Sequence, residues 1–337
     1  MNEVPIQPIL KPIVTKPPVP IKKQVKNSVN YVIGGLLIYE LIMIFFTFVS
    51  SIVLVVYLMI KDYKYYSSPE HMKELTNVLT SSGVGYMLAI LFGIPLILLY
   101  YRCIHPKKVK SLFVAKAKMT PKKFALIFII FMSVQGFIIP ISSGLELLFN
   151  QFHLSVEKIL EEFGQSNTIS MFLYISFLGP ITEELIFRGV VLRRLQKYGD
   201  CFAIVISAIL FGAFHGNLAQ GIFAAFIGLV LGYVAIEYSI KWSILLHIIN
   251  NFIFCELYLF ITQRFSQPIQ DGISVVMNLA FAIAAIVILI IYRKQVSWYI
   301  KKEKTPKGFY RYAFTCCLMI IFILVQIGSS IISIQKI

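Results

Sequence analysis

Charged side chains are scarce in this sequence: Asp, Glu, Lys and Arg together make up 14% of its 337 residues, whereas soluble domains average about 25%. Apolar residues make up 58%, and the mean hydropathy is +0.80. This composition excludes an ordinary soluble domain. The long apolar runs predict an all-α protein, a polytopic membrane helix bundle with about eight to nine transmembrane helices.

Cysteine is also scarce, and its spacing carries no pattern. The five cysteines are odd in number, irregularly spaced and without a Cys-x-x-Cys pair, which excludes a disulfide framework or a thiolate metal site. We therefore expect no disulfide-linked partner. The first apolar run, 31–60, is too long for the core of a cleavable signal peptide and predicts a retained membrane span.

Basic residues outnumber acidic ones, 31 to 16, and they cluster between the apolar segments. The apolar segments are 31–60, 83–101, 123–149, 169–196, 201–217, 219–238, 242–262, 273–292 and 312–335. Lysine and arginine are concentrated before residue 27, in 102–123, in 193–197 and in 293–311. With nine spans and the N-terminus inside, all four clusters lie on the cytoplasmic side, as the positive-inside rule requires. The net charge of +15 then needs no nucleic-acid partner.

Four regions follow from this pattern. Residues 1–30 are rich in proline and lysine and predict a disordered cytoplasmic tail. Transmembrane regions are expected at 31–168 and 263–337, on either side of a motif-bearing core at 169–262. Within the first of these, 150–168 has a helical alternation that fits a short interfacial helix or a solvated loop helix equally well.

Several polar side chains lie inside the apolar segments of the core. They are Glu183, Glu184, Arg188, His215, His247, Asn250 and Asn251. A charged group at bilayer depth costs about 2.5–3.5 kcal/mol, so intramembrane ionisable residues are functional candidates. Structural hydrogen bonding between helices is the alternative for each one. Glu40 and Glu256 also lie in spans and receive no role.

Spacing separates the two adjacent glutamates. Glu184 and Arg188 are four residues apart, so they share a helix face and can pair. Glu183 is rotated by about 100° from Glu184 and is free to face another group. Phe211 and His215 are also four apart, as are His247 and Asn251. A carboxylate, an imidazole and a His/Asn donor pair on three helices suit general-base chemistry with oxyanion stabilisation.

Depth along the helices is a further constraint. At 1.5 Å per residue, Glu183 and His215 both lie ~21 Å from the cytoplasmic ends of their helices, but His247 lies only ~9 Å from Lys241. The helix that carries His247 must therefore tilt or begin inside the protein. Pro180 favours an irregular start to the helix that carries Glu183.

These motifs resemble a known family. In order, they match Glu-Glu-x-x-x-Arg (Glu183, Glu184, Arg188), Phe-x-x-x-His (Phe211, His215) and His-x-x-x-Asn (His247, Asn251) of the CPBP family, the CAAX protease and bacteriocin-processing or Abi family of intramembrane proteases. The surrounding residues, about 170–255, are similar to bacterial members.

The resemblance implies a multi-pass endopeptidase of a bacterial cell membrane that cleaves a peptide or membrane-protein substrate near the cytoplasmic face. It implies that Glu183, helped by His215, activates a water, and that His247 and Asn251 form the oxyanion site. Glu184 and Arg188 would brace the first helix, with Phe211 and Asn250 in support. No cofactor is required in this scheme.

Alternatives remain open at this point. Zinc could be held by Glu183, His215 and His247, although His-Glu-x-x-His is absent and Asn is a poor zinc ligand. A non-catalytic membrane scaffold or bacteriocin self-immunity protein would keep the fold and act by binding a partner. A transporter is disfavoured because one motif block is present where two related halves would be expected.

Overall fold

The computed structural model describes residues 19–68, 71–104, 113–156 and 168–336, and this part of the chain is a helix bundle. Its helices are α1 (Ile21–Lys61), α2 (Tyr63–Tyr66), α3 (Met72–Thr80), α4 (Val84–Ile104), α5 (Pro121–Asn150), α6 (Ile169–Tyr198), α7 (Asp200–Phe214), α8 (Leu218–Glu237), α9 (Ile240–Thr262), α10 (Gln267–Ile291), α11 (Arg293–Lys302), α12 (Phe309–Phe314) and α13 (Cys317–Ile332). Two short strands, β1 (Leu154–Ser155) and β2 (Gln335–Lys336), pair antiparallel.

The predicted membrane bundle is confirmed. Within the described ranges, seven helices are long and apolar enough to cross a membrane: α1, α4 with the end of α3, α5, α6, α8, α9 and α10. Two shorter apolar helices, α7 and α13, complete the set of nine apolar segments. The protein is therefore a multi-pass membrane protein.

Two of the long helices are not α-helical throughout. In α6, the segments Tyr174–Leu178 and Glu184–Leu192 are π-helical, and in α9 the segment Ile249–Leu257 is π-helical. A π-helical turn pairs residue i with i+5, so it shifts the rotation of every side chain that follows, and such turns are frequent at functional sites. All three segments adjoin or contain the motif residues.

The boundary of the predicted N-terminal tail is wrong. Residues 1–18 lie outside the described part, but α1 begins at Ile21 rather than near Tyr31. Val25 and Val29 are fully buried in the main core cluster. The first turns of α1 therefore pack an apolar face against the core, although they also carry lysines. Lys26 donates to the carbonyl of Thr315 at 2.9 Å, which fixes the start of α1 against the C-terminal region. Of the predicted 150–168 helix, residues 157–167 lie outside the described part, and residues 154–155 form β1.

Small residues let α7 pack closely along α8. A methyl group on Gly212 would lie 2.4 Å from the carbonyl oxygen of Gly221. Gly228 and Gly232 of α8 face Ala208 and Ile204 of α7 in the same way, so this glycine pair serves packing within the bundle.

One lysine, Lys116, pairs with acidic residues at the ends of two helices. Lys116 forms an ion pair with Asp200 at the start of α7 and lies 3.2 Å from Glu237 at the end of α8. Burial lowers the pKa of Lys116, but the hydrogen bonds and charges of Asp200 and Glu237 outweigh it, so the pKa is raised. The lysine therefore stays charged across the physiological range.

The start of α9 is buried. Ser239, the residue before α9, is 5% exposed, and its hydroxyl donates to the carbonyl of Phe113 at 3.2 Å. The backbone N–H groups of Lys116 and Ala117 donate to the carbonyl of Glu237. The residues just before the helix that carries His247 are thus covered by the segment that precedes α5. Whether this helix tilts or begins inside the protein stays a prediction.

Candidate active site

The adjacent glutamates have different surroundings. Glu184 has no solvent exposure, and its Oε1 lies 2.9 Å from Nη1 of Arg188, which is equally buried. The Arg188 guanidinium lies 4.3 Å from the centre of the Phe211 ring, and its Nη2 donates to the carbonyl of Gly228 at 3.4 Å. The side chain of Glu183 keeps 24% of its surface exposed. Glu184 is therefore neutralised within the bundle, whereas Glu183 stays partly accessible.

His247 lies between the two carboxylates. Its Nδ1 lies 3.1 Å from Oε1 of Glu184, and its Nε2 lies 3.7 Å from Oε2 of Glu183. An ionised carboxylate only accepts, so Nδ1 carries a hydrogen and donates to Glu184. Nε2 of His247 then faces the Glu183 carboxylate. An unprotonated Nε2 and an ionised carboxylate are both acceptors and repel each other. The Nε2–Glu183 contact is therefore attractive only when one of the two groups carries a proton. Glu184 orients the imidazole, and the Glu183–His247 pair can hold one proton.

His215 contacts the backbone of Phe211, and its predicted help to Glu183 stays a prediction. It follows the last residue of α7, and its Nδ1 lies 2.8 Å from the carbonyl oxygen of Phe211. A carbonyl only accepts, so Nδ1 donates and Nε2 keeps a free lone pair. Among the described residues, the ion-pair partner of Glu183 is His247, and His215 does not come within ion-pair distance of it.

The Phe211 ring contacts both histidines. The ring centres of His215 and His247 lie 5.0 and 5.8 Å from that of Phe211, and both contacts are edge-to-face. With Arg188 stacked on the same ring, Phe211 is in contact with three motif residues at once. These contacts explain why an aromatic residue stands four positions before His215.

Asn251 is held by a backbone carbonyl that the helix leaves free. Its Nδ2 donates to the carbonyl of Ile175 at 2.9 Å. In an α-helix this carbonyl would accept from Gly179, but the Gly179 N–H donates to Tyr174 in the π-helical turn. The next residue, Pro180, has no N–H to offer. The irregular start predicted from Pro180 is thus confirmed, and it exposes the acceptor that Asn251 uses.

Asn250 connects this site to α5. Its Nδ2 donates to Oδ1 of Asn251 at 3.0 Å, and its own Oδ1 accepts from Nε2 of Gln135 at 3.2 Å. Gln135 was not predicted as a site residue. The available signal was a carboxamide in an otherwise apolar run, the same signal that singled out Asn250.

Two tyrosines near the exposed glutamate were also missed. Tyr39 and Tyr174 both lie near the Glu183 carboxylate. Tyr39 lies on α1 and is 3% exposed, and Tyr174 stacks on Tyr86 with ring centres 4.6 Å apart. Apolar helices carry many tyrosines, so the sequence gives no reason to select these. Glu40, which had no predicted role, accepts two hydrogen bonds from Gln326, at 3.0 and 3.1 Å.

The residues proposed as zinc ligands do not converge. Within the described residues, no three His, Cys, Asp or Glu side chains gather as a metal site would require. His215 is also out of ion-pair range of Glu183. The geometry therefore does not fit a site formed by Glu183, His215 and His247.

Comparison with protein-family models gives one match. Residues 165–253 match the family described as Type II CAAX prenyl endopeptidase Rce1-like. This segment contains every predicted site residue, and the match confirms its resemblance to the CPBP family. No curated protein and no solved structure matches the chain.

Proposed function

Because residues 165–253 group this chain with the CPBP membrane proteases, we propose that it is an intramembrane endopeptidase that hydrolyses a peptide bond by means of a glutamate-activated water. One observation carries the mechanism. Of two adjacent glutamates, Glu184 is fully buried against Arg188, and Glu183 is partly exposed beside His247. Only Glu183 is free to exchange a proton with water.

The reaction follows from this division. The Glu183 carboxylate takes a proton from a water molecule, and the water oxygen bonds to the carbonyl carbon of the scissile peptide. The resulting tetrahedral oxyanion collapses, the C–N bond breaks, and the proton passes from Glu183 to the leaving amine. His247 takes up or returns a proton at Nε2 while Glu184 holds its Nδ1.

Asn251 supplies a donor to the oxyanion. Its NH₂ group has two N–H bonds, and one is used by the Ile175 carbonyl. The second is free to donate to the developing negative charge, a role worth about 10²–10³ in rate in other hydrolases. His215, with its free Nε2, accepts a hydrogen bond from the attacking water. No step is assigned to a metal ion, because the described side chains do not form a metal site.

The matched family suggests the substrate class. Its description names a CAAX prenyl endopeptidase, so a peptide bond near a lipidated C-terminal cysteine is the first candidate. Another membrane peptide or protein of a bacterial cell is the second. The basic residues Lys26, Lys116 and Arg193 make contacts at one end of the bundle, which supports a cytoplasmic N-terminus and cleavage near that face.

The test is cleavage by protein reconstituted in lipid vesicles. Two internally quenched peptides serve as probes: one ends in a prenylated CAAX box, and the other has the same sequence without the prenyl group. Wild-type protein should cleave at least one of them, and Glu183→Gln should lose about 10²–10⁴-fold in rate, since the amide cannot take a proton from water.

Glu40→Gln is the matched control, because it makes the same chemical change at another intramembrane carboxylate. It should retain activity. Full activity of Glu183→Gln at equal abundance would refute the protease and favour a scaffold or self-immunity protein. Preference for the prenylated probe would assign the CAAX class, and equal cleavage would assign a broader peptide substrate.

A further inference from the structure

We infer that Gln135 is a positioning residue for Asn251 and acts through Asn250. The inference rests on the proposed function, in which Asn251 donates to the oxyanion. Three side-chain amides form a continuous relay: Gln135 donates to Asn250 at 3.2 Å, Asn250 donates to Asn251 at 3.0 Å, and Asn251 donates to the Ile175 carbonyl at 2.9 Å.

The direction of this relay is fixed at its end. The Ile175 carbonyl can only accept, so Asn251 must turn its nitrogen toward it and its oxygen toward Asn250. Asn250 must then present nitrogen to Asn251 and oxygen to Gln135. Turning any one amide around would oppose two oxygens or two N–H groups. Both the oxygen and the nitrogen of the Asn251 amide are therefore held by hydrogen bonds. These bonds fix the direction of the second N–H, the one proposed to donate to the oxyanion.

Gln135 contributes because it lies on a rigid element. Its neighbour Gly136 packs α5 tightly against α10, and a methyl group there would lie 2.7 Å from the carbonyl oxygen of Asn278. Asn250 is 5% exposed, so water competes little for its hydrogen bonds. The relay thus joins α5, α9 and the π-helical turn of α6 at the proposed oxyanion donor.

The experiment compares Gln135→Met and Asn250→Leu with wild type in the vesicle assay. Each variant keeps the approximate side-chain size and removes one donor of the relay. We expect kcat to fall about tenfold with KM unchanged, because outer partners of a catalytic group orient it without binding substrate. Ser133→Ala is the control on the same helix, since its hydroxyl donates only within α5, to Ile130 at 2.7 Å, and its kcat should be unchanged.

Repeating Gln135→Met in a protein that already lacks the Asn251 amide distinguishes a positioning role of Gln135 from a general effect on stability. In Asn251→Ala, whose rate should still exceed that of Glu183→Gln, Gln135→Met should cause no further loss of kcat. An additional tenfold loss there, or an unchanged kcat in the single variants, would overturn the inference while leaving Glu183-dependent proteolysis intact.

Absence of any Glu183-dependent cleavage would overturn the proposed function and this role together. The relay itself is then judged by thermal unfolding. If the hydrogen bonds exist, a double variant of Gln135→Met with Asn250→Leu should be no less stable than its worse single variant. Fully additive losses would show that the relay does not form.

Discussion

Removal of the Arg188 charge should destabilise the fold before it affects chemistry. Arg188 is the largest fully buried side chain in the described part of the protein. Arg188→Met keeps much of its volume but leaves Glu184 buried without a counter-charge. Breaking a buried pair in this way costs about 3–5 kcal/mol, and the stacking on Phe211, worth about 0.5–2 kcal/mol, is lost as part of it. The expected fall in Tm is roughly 10 °C.

The matched rescue is Glu184→Gln combined with Arg188→Met. Removing both charges of a buried pair is often neutral or stabilising, so the Tm should return to within a few degrees of wild type. The amide oxygen introduced by Glu184→Gln can still accept from Nδ1 of His247. Part of the activity should therefore return with stability.

Thermal unfolding in detergent, abundance in the membrane and peptide cleavage are measured together. An Arg188→Met protein of normal abundance and Tm that had lost only cleavage would show that the pair is not needed for stability. Arg188 would then contact the substrate or the reacting atoms. A double variant as unstable as Arg188→Met would show that the loss comes from packing rather than from an unpaired Glu184.

Three further predictions concern local features. Pro180→Ala supplies an N–H that competes with Asn251 for the Ile175 carbonyl, so kcat should fall several-fold while the Tm holds; an unchanged kcat would contradict the shared acceptor. Gly212→Ala places a methyl group 2.4 Å from a carbonyl oxygen of α8 and should cost about 1–3 kcal/mol. Gly144→Ala, with no atom within 4 Å of the new methyl group, should be neutral, and equal unfolding temperatures for the two variants would refute the packing argument. A reporter fused to the N-terminus should be protected from an external protease in intact cells, and its digestion would reverse the proposed orientation.

The helices could be predicted from the sequence because a membrane span requires a long run of apolar residues. Apolar composition alone missed the start of α1, where Val25 and Val29 bury a face of a segment rich in lysine. The Glu184–Arg188 pair could also be predicted, since it depends only on spacing within one helix. Local spacing is enough for such contacts.

Contacts between helices could not be predicted in the same way. Which histidine meets Glu183 depends on the rotation and depth of α6, α7 and α9, and the π-helical turns change that rotation in two of them. In the structure, His247 of α9 lies 3.7 Å from Glu183. Gln135 was missed because a single carboxamide in an apolar run has no periodic partner to mark it.

The length of α13 has a consequence for the surrounding lipid. Its 16 residues span only ~24 Å, whereas the hydrocarbon core of a bilayer is about 30 Å thick. Side chains such as Leu324, Ile327 and Ile331 are exposed, so in a membrane this face of α13 would contact lipid. A short lipid-facing helix creates hydrophobic mismatch, and thinning of the bilayer is one of the ways in which the mismatch is relieved. Ser329 of α13 lies beside Gly216, the residue after His215. A thinner bilayer there would shorten the path by which water reaches the proposed catalytic residues, so the rate of the proposed cleavage should depend on lipid chain length.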